Sequence, residues 1–393
     1  MAFLTLLCEN SNKVLCSLFS LFVRLFFKVD KKKVLFFSKP DYADNARALS
    51  EYILSTRSSY CKVIWVVEKD ESRFLVKDAL SCVLYNCLNC YRLKTLFHLL
   101  TAKYICSTHN FPLPYKKKQK EQVYVRLWHG CGYKDKTSID GTHKVFDVAM
   151  VPGPLFVKTK ARFWNIDEKD IISLGYPRFD WLMKKNEKAT SFVSQIKGDA
   201  EKVIIWMPTF RNDKNGLYNE TSNVSSFPLI NDLNVWMQID QICKQNRVVL
   251  LVKLHIFQSE YEIPFKQMSN VKELKENDYA SKGLALYEVL TETDALISDY
   301  SSVSFDYLIL NKPIAFCLDD FELYKKGRGF IFENPLQYMP GHHLYSLEDL
   351  KTFIHDVANN IDEYQEDRRR VKALAISDSE CYCKTVWDKI CSL

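Results

Sequence analysis

The chain has no GxxxxGK[ST] phosphate loop, no dinucleotide GxGxxG turn and no GxSxG nucleophile elbow. Those absences set aside P-loop nucleotidases, Rossmann dehydrogenases and serine hydrolases of the α/β type. Cys87 and Cys90 form a lone CxxC with no second pair at zinc spacing, so no metal is expected there; with Cys82 they read as a helix packed in the core. No internal repeat and no low-complexity tract is present. Nor is there a run of the about 20 apolar residues needed to span a bilayer, because Arg24 interrupts the best candidate. No small-residue cleavage site precedes the basic cluster Lys31–Lys33, which argues against a signal peptide.

What is present describes a large folded protein. Across 393 residues, 47% are apolar and 26% charged, which suits two globular domains better than one core. The net charge of +6 favours anionic partners such as nucleotides, phosphopolymers or acidic lipid. The 13 cysteines are odd in number and scattered, several of them inside apolar runs such as those around Cys82 and Cys317. That usage points to reduced, buried thiols in a cytoplasmic protein.

Near the N-terminus, Leu15, Leu18, Phe19, Phe22, Leu25 and Phe26 share one helical face, while Lys13, Ser17, Ser20, Arg24 and Lys28 share the other. An aromatic-rich amphipathic helix followed by Lys31–Lys33 is suited to lie in an anionic membrane interface. The plain alternative is a helix packed on the protein's own core.

From Val34 onward, apolar strand-like runs alternate with helical patterns. Val34–Ser38, Val63–Val67, Lys103–Ser107, Val123–Leu127 and Val145–Val151 read as strands, with helices over Ala43–Thr56 and Leu155–Trp164. A polar stretch, Lys184–Lys202, reads as a connection. The pattern then resumes with strands Val203–Met207, Val248–Leu254, Ala295–Ser298 and Ile314–Leu318. The intervening helices are Asn234–Gln245, Leu284–Thr291 and Val303–Leu310, followed by a charged helical segment, Leu347–Val371. Continuous apolar strands alternating with helices imply parallel sheets covered on both faces. The expected organisation is a membrane-associating segment (1–30), a first α/β domain (31–190), a second (200–370) and a helical tail (371–393).

In such sheets ligands gather at the carboxyl ends of the strands. Four clusters fall there. Trp128-His129-Gly130 presents a histidine whose near-neutral pKa suits a general base. Pro208-Thr209-Phe210-Arg211 offers a hydroxyl and a guanidinium fork. Lys253 and His255, two residues apart at a strand end, make a donor pair for an anion. Asp299-Tyr300-Ser301-Ser302 leads from a strand into a helix that contains Asp306, and amides at a helix start attract anions. Each also has a bland reading as a cap, a loop residue or a surface ion pair. Asp319-Asp320 reads as solvated, and Lys116–Lys120, with no interleaved aromatics, as an exposed loop and not a nucleic-acid site.

Taken together, these residues resemble the CDP-glycerol:poly(glycerophosphate) glycerophosphotransferases. The resemblance rests on Asp44-Asn45 with Ala48-Leu49, Ala102-Lys103, Trp128-His129-Gly130 with Lys134, and Gly175-Tyr176-Pro177-Arg178-Phe179-Asp180. It continues through Pro208-Thr209-Phe210-Arg211, Lys253-Leu254-His255, Ser298–Val303 with Phe305-Asp306, Lys312-Pro313, and Tyr324 with Arg328-Gly329. It implies a GT-B architecture: two Rossmann-like domains facing across a cleft, the CDP-polyol donor on the second, no metal and no cofactor. It implies His129 as base, with His255 and Arg211 on the donor phosphates and Ser301-Ser302 as the diphosphate cradle. Thr209, Lys253 and Asp306 join that donor side, while Asp180, Gly130 and Lys134 are expected toward the acceptor or polyol.

The activity so implied is transfer of a polyol phosphate, glycerol phosphate first, to a hydroxyl of a lipid-linked or polymer acceptor. CMP is released, and the work is done at the cytoplasmic face of the membrane in teichoic-acid-like or capsular polymer synthesis. Three positions depart from the family pattern: Ile256 stands where proline is common, Phe210 where tryptophan is, and Phe179 where asparagine often precedes the aspartate. Two other readings share the sequence: a GT-B glycosyltransferase using a nucleotide sugar, and a catalytically silent membrane-associated assembly protein.

Overall fold

The unbroken apolar runs become strands with both faces covered, where β-branched and aromatic side chains pack against helices above and below. The computed structural model describes residues 2–56, 61–76, 78–84, 92–110, 119–134, 146–209, 227–230, 232–254 and 263–393. Its first half runs α1 (Ala2–Phe26), β1 (Asp30–Phe37), α2 (Asp44–Ser55), β2 (Lys62–Val67), β3 (Leu80–Val83), α3 (Leu93–Thr101), β4 (Ala102–Ser107) and β5 (Val123–Arg126). It continues through β6 (Val148–Val151), α4 (Val157–Trp164), β7 (Ile171–Ser173), α5 (Phe179–Met183) and α6 (Glu187–Lys197). The second half has β8 (Lys202–Trp206), α7 (Leu233–Gln245), β9 (Val248–Val252), β10 (Val271–Glu273), α8 (Glu276–Ala280), α9 (Leu286–Thr291) and β11 (Ala295–Ser298). It closes with α10 (Val303–Tyr307), β12 (Ile314–Cys317), α11 (Phe321–Gly327), β13 (His342–Leu344), α12 (Leu347–Ala358), α13 (Gln365–Ala375) and α14 (Tyr382–Cys391).

Two parallel sheets result, ordered β3-β2-β1-β4-β5-β6-β7 and β10-β9-β8-β11-β12-β13. Strand order reverses between β1 and β4 in one sheet and between β8 and β11 in the other, and such switch points open ligand crevices. Register keeps the strand ends level. Phe37 lies opposite Ser107, and Ser107 opposite Arg126; Trp206 lies opposite Val252 and Ile297. The loops that carry the site motifs therefore leave each sheet along a common edge.

One apolar cluster joins the two α/β domains. In it the Tyr133 ring stacks on Phe305 at 4.7 Å, and Phe156 meets Phe305 edge-on at 5.0 Å. A second cluster fills the space between the second sheet and α7 and α12, around Trp206, Trp236 and Phe353. A third holds α1 and α3 against the first sheet, through Cys16, Val23, Leu35, Phe37 and Leu99.

Several expectations are corrected by the packing. The stretch expected to be a plain connection contains α6, which buries Ala189, Phe192 and Val193. Cys82 lies in strand β3 and not in a helix; Cys87 and Cys90 fall outside the described residues. The segment Leu347–Val371 is two helices, and residue 370 lies inside α13. The chain end returns to the first half, where Trp387 meets Tyr104 edge-on at 5.6 Å and the Asp180 carboxylate caps α14. Asp320 is buried and accepts a hydrogen bond from the Tyr300 hydroxyl at 2.9 Å, so it is not a solvated aspartate.

The first helix divides its faces differently from the expected pattern. Cys16, Ser20 and Val23, a narrow stripe of small side chains, turn inward, and the Ser20 hydroxyl donates to the Cys16 carbonyl. The large side chains stay outside: Leu18, Leu21, Phe22, Leu25 and Phe26 are all more than half or close to half exposed, Phe26 at 70%. Among the described residues, no helix is long and apolar enough to cross a membrane.

Candidate functional site

The two switch points meet where the loop after β5 touches the turn after β11. That loop folds tightly: Trp128 sits at φ 59° and Gly130 at φ 142°. A Cβ on Gly130 would lie 2.3 Å from Ser302 Oγ, and one on Gly132 would lie 3.0 Å from the Ser302 amide nitrogen. Glycine is needed at 130 for both reasons, backbone conformation and the approach of the serine turn. The loop that carries His129 and the turn at Ser302 are thus held against each other across the two domains.

His129 Nδ1 donates to the Thr108 carbonyl at 3.3 Å. Its ring lies flat on that of His109, with centroids 4.3 Å apart and planes 8° off parallel, and the Trp128 ring packs at 4.1 Å. Burial, with the neighbouring His109, holds the His129 imidazole well below the ordinary histidine pKa and so neutral at pH 7.

Behind this loop runs a buried polar network. Asn45, at the start of α2, donates through Nδ2 to the Trp128 carbonyl at 2.9 Å and accepts from the Arg178 amide at 3.2 Å. Arg178 is only 2% exposed. One arm of its guanidinium donates to Asp44 and to the His129 carbonyl at 2.9 Å; the other donates to Asp306, on α10 of the second domain. Asp306 also accepts from the Tyr287 hydroxyl. Burial holds the Asp306 carboxyl above the ordinary aspartate value, against the opposing pull of Arg178 and Tyr287. A single arginine therefore ties the histidine loop to the helix that follows the serine pair. Arg178 Nε and Asp306 Oδ1 are buried without a hydrogen-bond partner, a cost of about 1–3 kcal/mol each that the surrounding packing sustains.

On the second sheet, Asp299 is fully buried and accepts from both the amide and the hydroxyl of Thr209. That clasp joins the end of β8 to the end of β11 across the switch point. Ser302 begins α10 in a helical conformation and makes no side-chain capping bond, so the cap reading does not hold. The short α10 continues into a 3-10 turn, Leu308–Leu310. Lys253 lies just past β9, and burial lowers its pKa below the ordinary lysine value.

Three residues expected to contact substrate make bonds within the protein here. Thr209 directs its hydroxyl to Asp299. Asp306, 1% exposed, binds Arg178 and Tyr287; a carboxylate presented to phosphate would repel it. Asp180 accepts from the amides of Tyr382 and Cys383, one with each oxygen. Lys134 pairs its backbone with Phe330, joining the histidine loop to the second domain. Gly130 touches the serine turn. Arg211 and His255 fall outside the described residues.

Asn45, His109, Arg178 and Tyr287 were not among the expected site residues. His109 follows a strand end, the signal that singled out His129. Arg178 stood in a motif, but its partners are 128 and 134 residues away in sequence.

Comparison with known proteins places this geometry. Residues 17–380 match the family model described as CDP-Glycerol:Poly(glycerophosphate) glycerophosphotransferase. A teichoic acid poly(glycerol phosphate) polymerase of Bacillus spizizenii is 27% identical over 94% of this chain and 95% of that protein. A teichoic acid glycerol-phosphate primase of Bacillus subtilis is 28% identical over 66% of each. The solved wall teichoic acid polymerase TagF superposes with a TM-score of 0.73 at 22% identity, covering 99% of this chain and 97% of that one. The fold is therefore the two-domain, parallel-sheet GT-B arrangement.

Proposed function

Because the chain belongs to the CDP-glycerol:poly(glycerophosphate) glycerophosphotransferase family, we propose that it moves glycerol phosphate from CDP-glycerol to a hydroxyl of a lipid-linked or polymeric acceptor in teichoic acid synthesis. The observation that carries this reading is the contact between the His129 loop and the Ser301-Ser302 turn at the level carboxyl ends of two parallel sheets. A neutral base and an anion-binding turn are the two things that transfer to an alcohol requires.

In this mechanism the acceptor hydroxyl enters beside His129, whose Nε2 takes its proton as the oxygen attacks the β-phosphorus of the donor. A new P–O bond forms to the acceptor. The bond from that phosphorus to the bridging oxygen breaks, and CMP leaves with the electron pair. Ser301, Ser302 and Lys253, with Arg211 and His255, stabilise charge on the transferring and leaving phosphates. Arg178 and Asp306 keep the two halves of this machinery in register.

Glycerol is preferred over ribitol because a relative matched over nearly its whole length is a poly(glycerol phosphate) polymerase. A donor panel tests the assignment: CMP release from CDP-glycerol, acceptor-dependent and exceeding that from CDP-ribitol. Turnover with UDP- or GDP-sugars alone makes the protein a glycosyltransferase, and no turnover with any donor makes it an assembly protein.

The site also needs a membrane-held acceptor. The uncovered Leu and Phe side chains of α1, beside exposed Lys28, Lys31 and Lys32, suit the interface of an anionic bilayer at its cytoplasmic face. Each large apolar side chain buried in lipid contributes about 1.5–3 kcal/mol. Changing Leu18, Phe22 and Leu25 together to glutamate, which leaves the inward stripe intact, is expected to abolish sedimentation with anionic vesicles. Sedimentation equal to wild type contradicts the membrane role.

A further inference from the structure

The strand-end pair Thr108-His109 lies outside every role assigned so far, yet both residues touch the His129 side chain. The Thr108 carbonyl takes the hydrogen of His129 Nδ1 at 3.3 Å. A carbonyl oxygen only accepts, so in the neutral ring Nδ1 carries the hydrogen and Nε2 carries the lone pair. The same residue's hydroxyl lies 3.0 Å from Nδ1 of His109. Thr108 thus anchors both rings, one through its backbone and one through its side chain. The rings lie 4.3 Å apart and nearly parallel, so His129 is held in one plane by a flat neighbour that is itself fixed.

We propose that Thr108 and His109 are positioning residues for the base: the Thr108 carbonyl sets the tautomer of His129, and the His109 ring sets its plane. Together they present an unprotonated Nε2 toward the acceptor hydroxyl. The proposal rests on His129 being the base.

The electrostatic surroundings agree. The charged groups facing His129 are Lys160 on α4 and Arg178 before α5, both cations that disfavour an imidazolium. His109 faces Asp44 on α2, Arg126 on β5, and Lys39 and Glu68 in the loops after β1 and β2. With Asp44 held by Arg178, no unpaired carboxylate among the described neighbours draws a proton onto the stack. Removing the His109 ring admits water to His129, eases its protonation and frees its plane.

The test is CMP release from CDP-glycerol with a lipid-linked glycerol-phosphate oligomer, followed from pH 5.5 to 9 for wild type, His109→Phe, His109→Ala and His129→Ala. Misplacing a reacting group by about 1 Å costs on the order of 100-fold. His109→Ala is therefore expected to lose about 10–100-fold in kcat, with an unchanged KM for CDP-glycerol and an acid limb moved to higher pH. His109→Phe, which keeps a flat ring, is expected to restore kcat and the limb. A His109→Ala profile identical to wild type, or a Phe variant as impaired as Ala, overturns the positioning role while His129 stands as base. Full turnover in His129→Ala overturns the base reading and the proposal with it. Should His109→Ala fail to fold, nitrogen NMR of ¹⁵N-histidine in wild type decides: a hydrogen on Nδ1 of His129 at pH 7 supports the proposal, and one on Nε2 overturns it.

Discussion

The two switch points are built from the same fold and surround their strand ends in opposite ways. At the first, an imidazole is buried, stacked and kept neutral, its ring held by the Thr108 carbonyl and His109 and its backbone by Arg178. At the second, one buried aspartate clasps a threonine across the strands, and the turn that follows leads into α10 at Ser302, which makes no side-chain capping bond. A proton acceptor needs a site that resists charge, whereas a diphosphate needs one that welcomes it. The contrast teaches that the charged residues of the first site are framework: they hold the His129 loop without charging its imidazole. Arg178 belongs to both sites, because it bonds the His129 carbonyl with one arm and Asp306 with the other.

The comparison breaks most severely at Gly130. An alanine there would meet Ser302 Oγ at 2.3 Å in a backbone conformation that side chains disfavour. Gly130→Ala is expected to cost at least about 100-fold in transfer, as other displacements of reacting groups do. Kinetics at saturating donor check this, and wild-type rates would mean that the two loops need not touch.

Arg178→Ala comes next. Removing one partner of a buried ion pair costs about 3–5 kcal/mol, because Asp306 and Asp44 are left charged in the interior. Denaturant titration should show that loss, and Arg178→Lys should recover only part of it, since one ammonium cannot reproduce a fork. A small effect would show that the halves are held by apolar contact alone.

How much of this was legible beforehand depended on the range of the interaction. Strands such as Val34–Phe37 and Val248–Val252 are apolar throughout and announced themselves. The three-residue strands β7, β10 and β13 are too short to carry a pattern, and α14 is defined by where it docks. His129 was legible because a strand end presents it. Arg178 was not recognised as a link, because nothing local in Pro177-Arg178-Phe179 says that a carboxylate from α10 arrives beside it. For Thr209 and Asp306 the residue type is legible but the direction is not: a hydroxyl near a strand end serves ligand or framework, and nothing local says that Asp299 arrives beside it. On α1, periodicity marked the apolar residues but could not say which stripe the first sheet would cover.

Smaller effects sharpen the same contrast. Thr209→Val removes the hydroxyl from a buried carboxylate and is expected to cost about 1–3 kcal/mol of stability, with a weaker effect on donor affinity. Unfolding midpoints and donor titration check both, and unchanged stability would remove the clasp.

The buried histidines should also leave a mark on pH dependence. Burial holds His98, His109 and His129 below the ordinary histidine value, His98 at about 4. Below about pH 6.5 the unfolded chain takes up protons that the folded one refuses, so stability falls as pH falls through that window. The thermal midpoint is expected to drop between pH 7.5 and 5.5, and a rising midpoint would show these rings charged in the fold.

The central claim is that the base and the donor site are separate and belong to different domains. It is tested most directly by His129→Ala, measuring CDP-glycerol affinity and single-turnover CMP release on the same protein. The expected result is a loss of transfer of about 10²–10⁴-fold, the usual worth of a general base, with affinity within about threefold of wild type. Transfer at the wild-type rate would contradict the account.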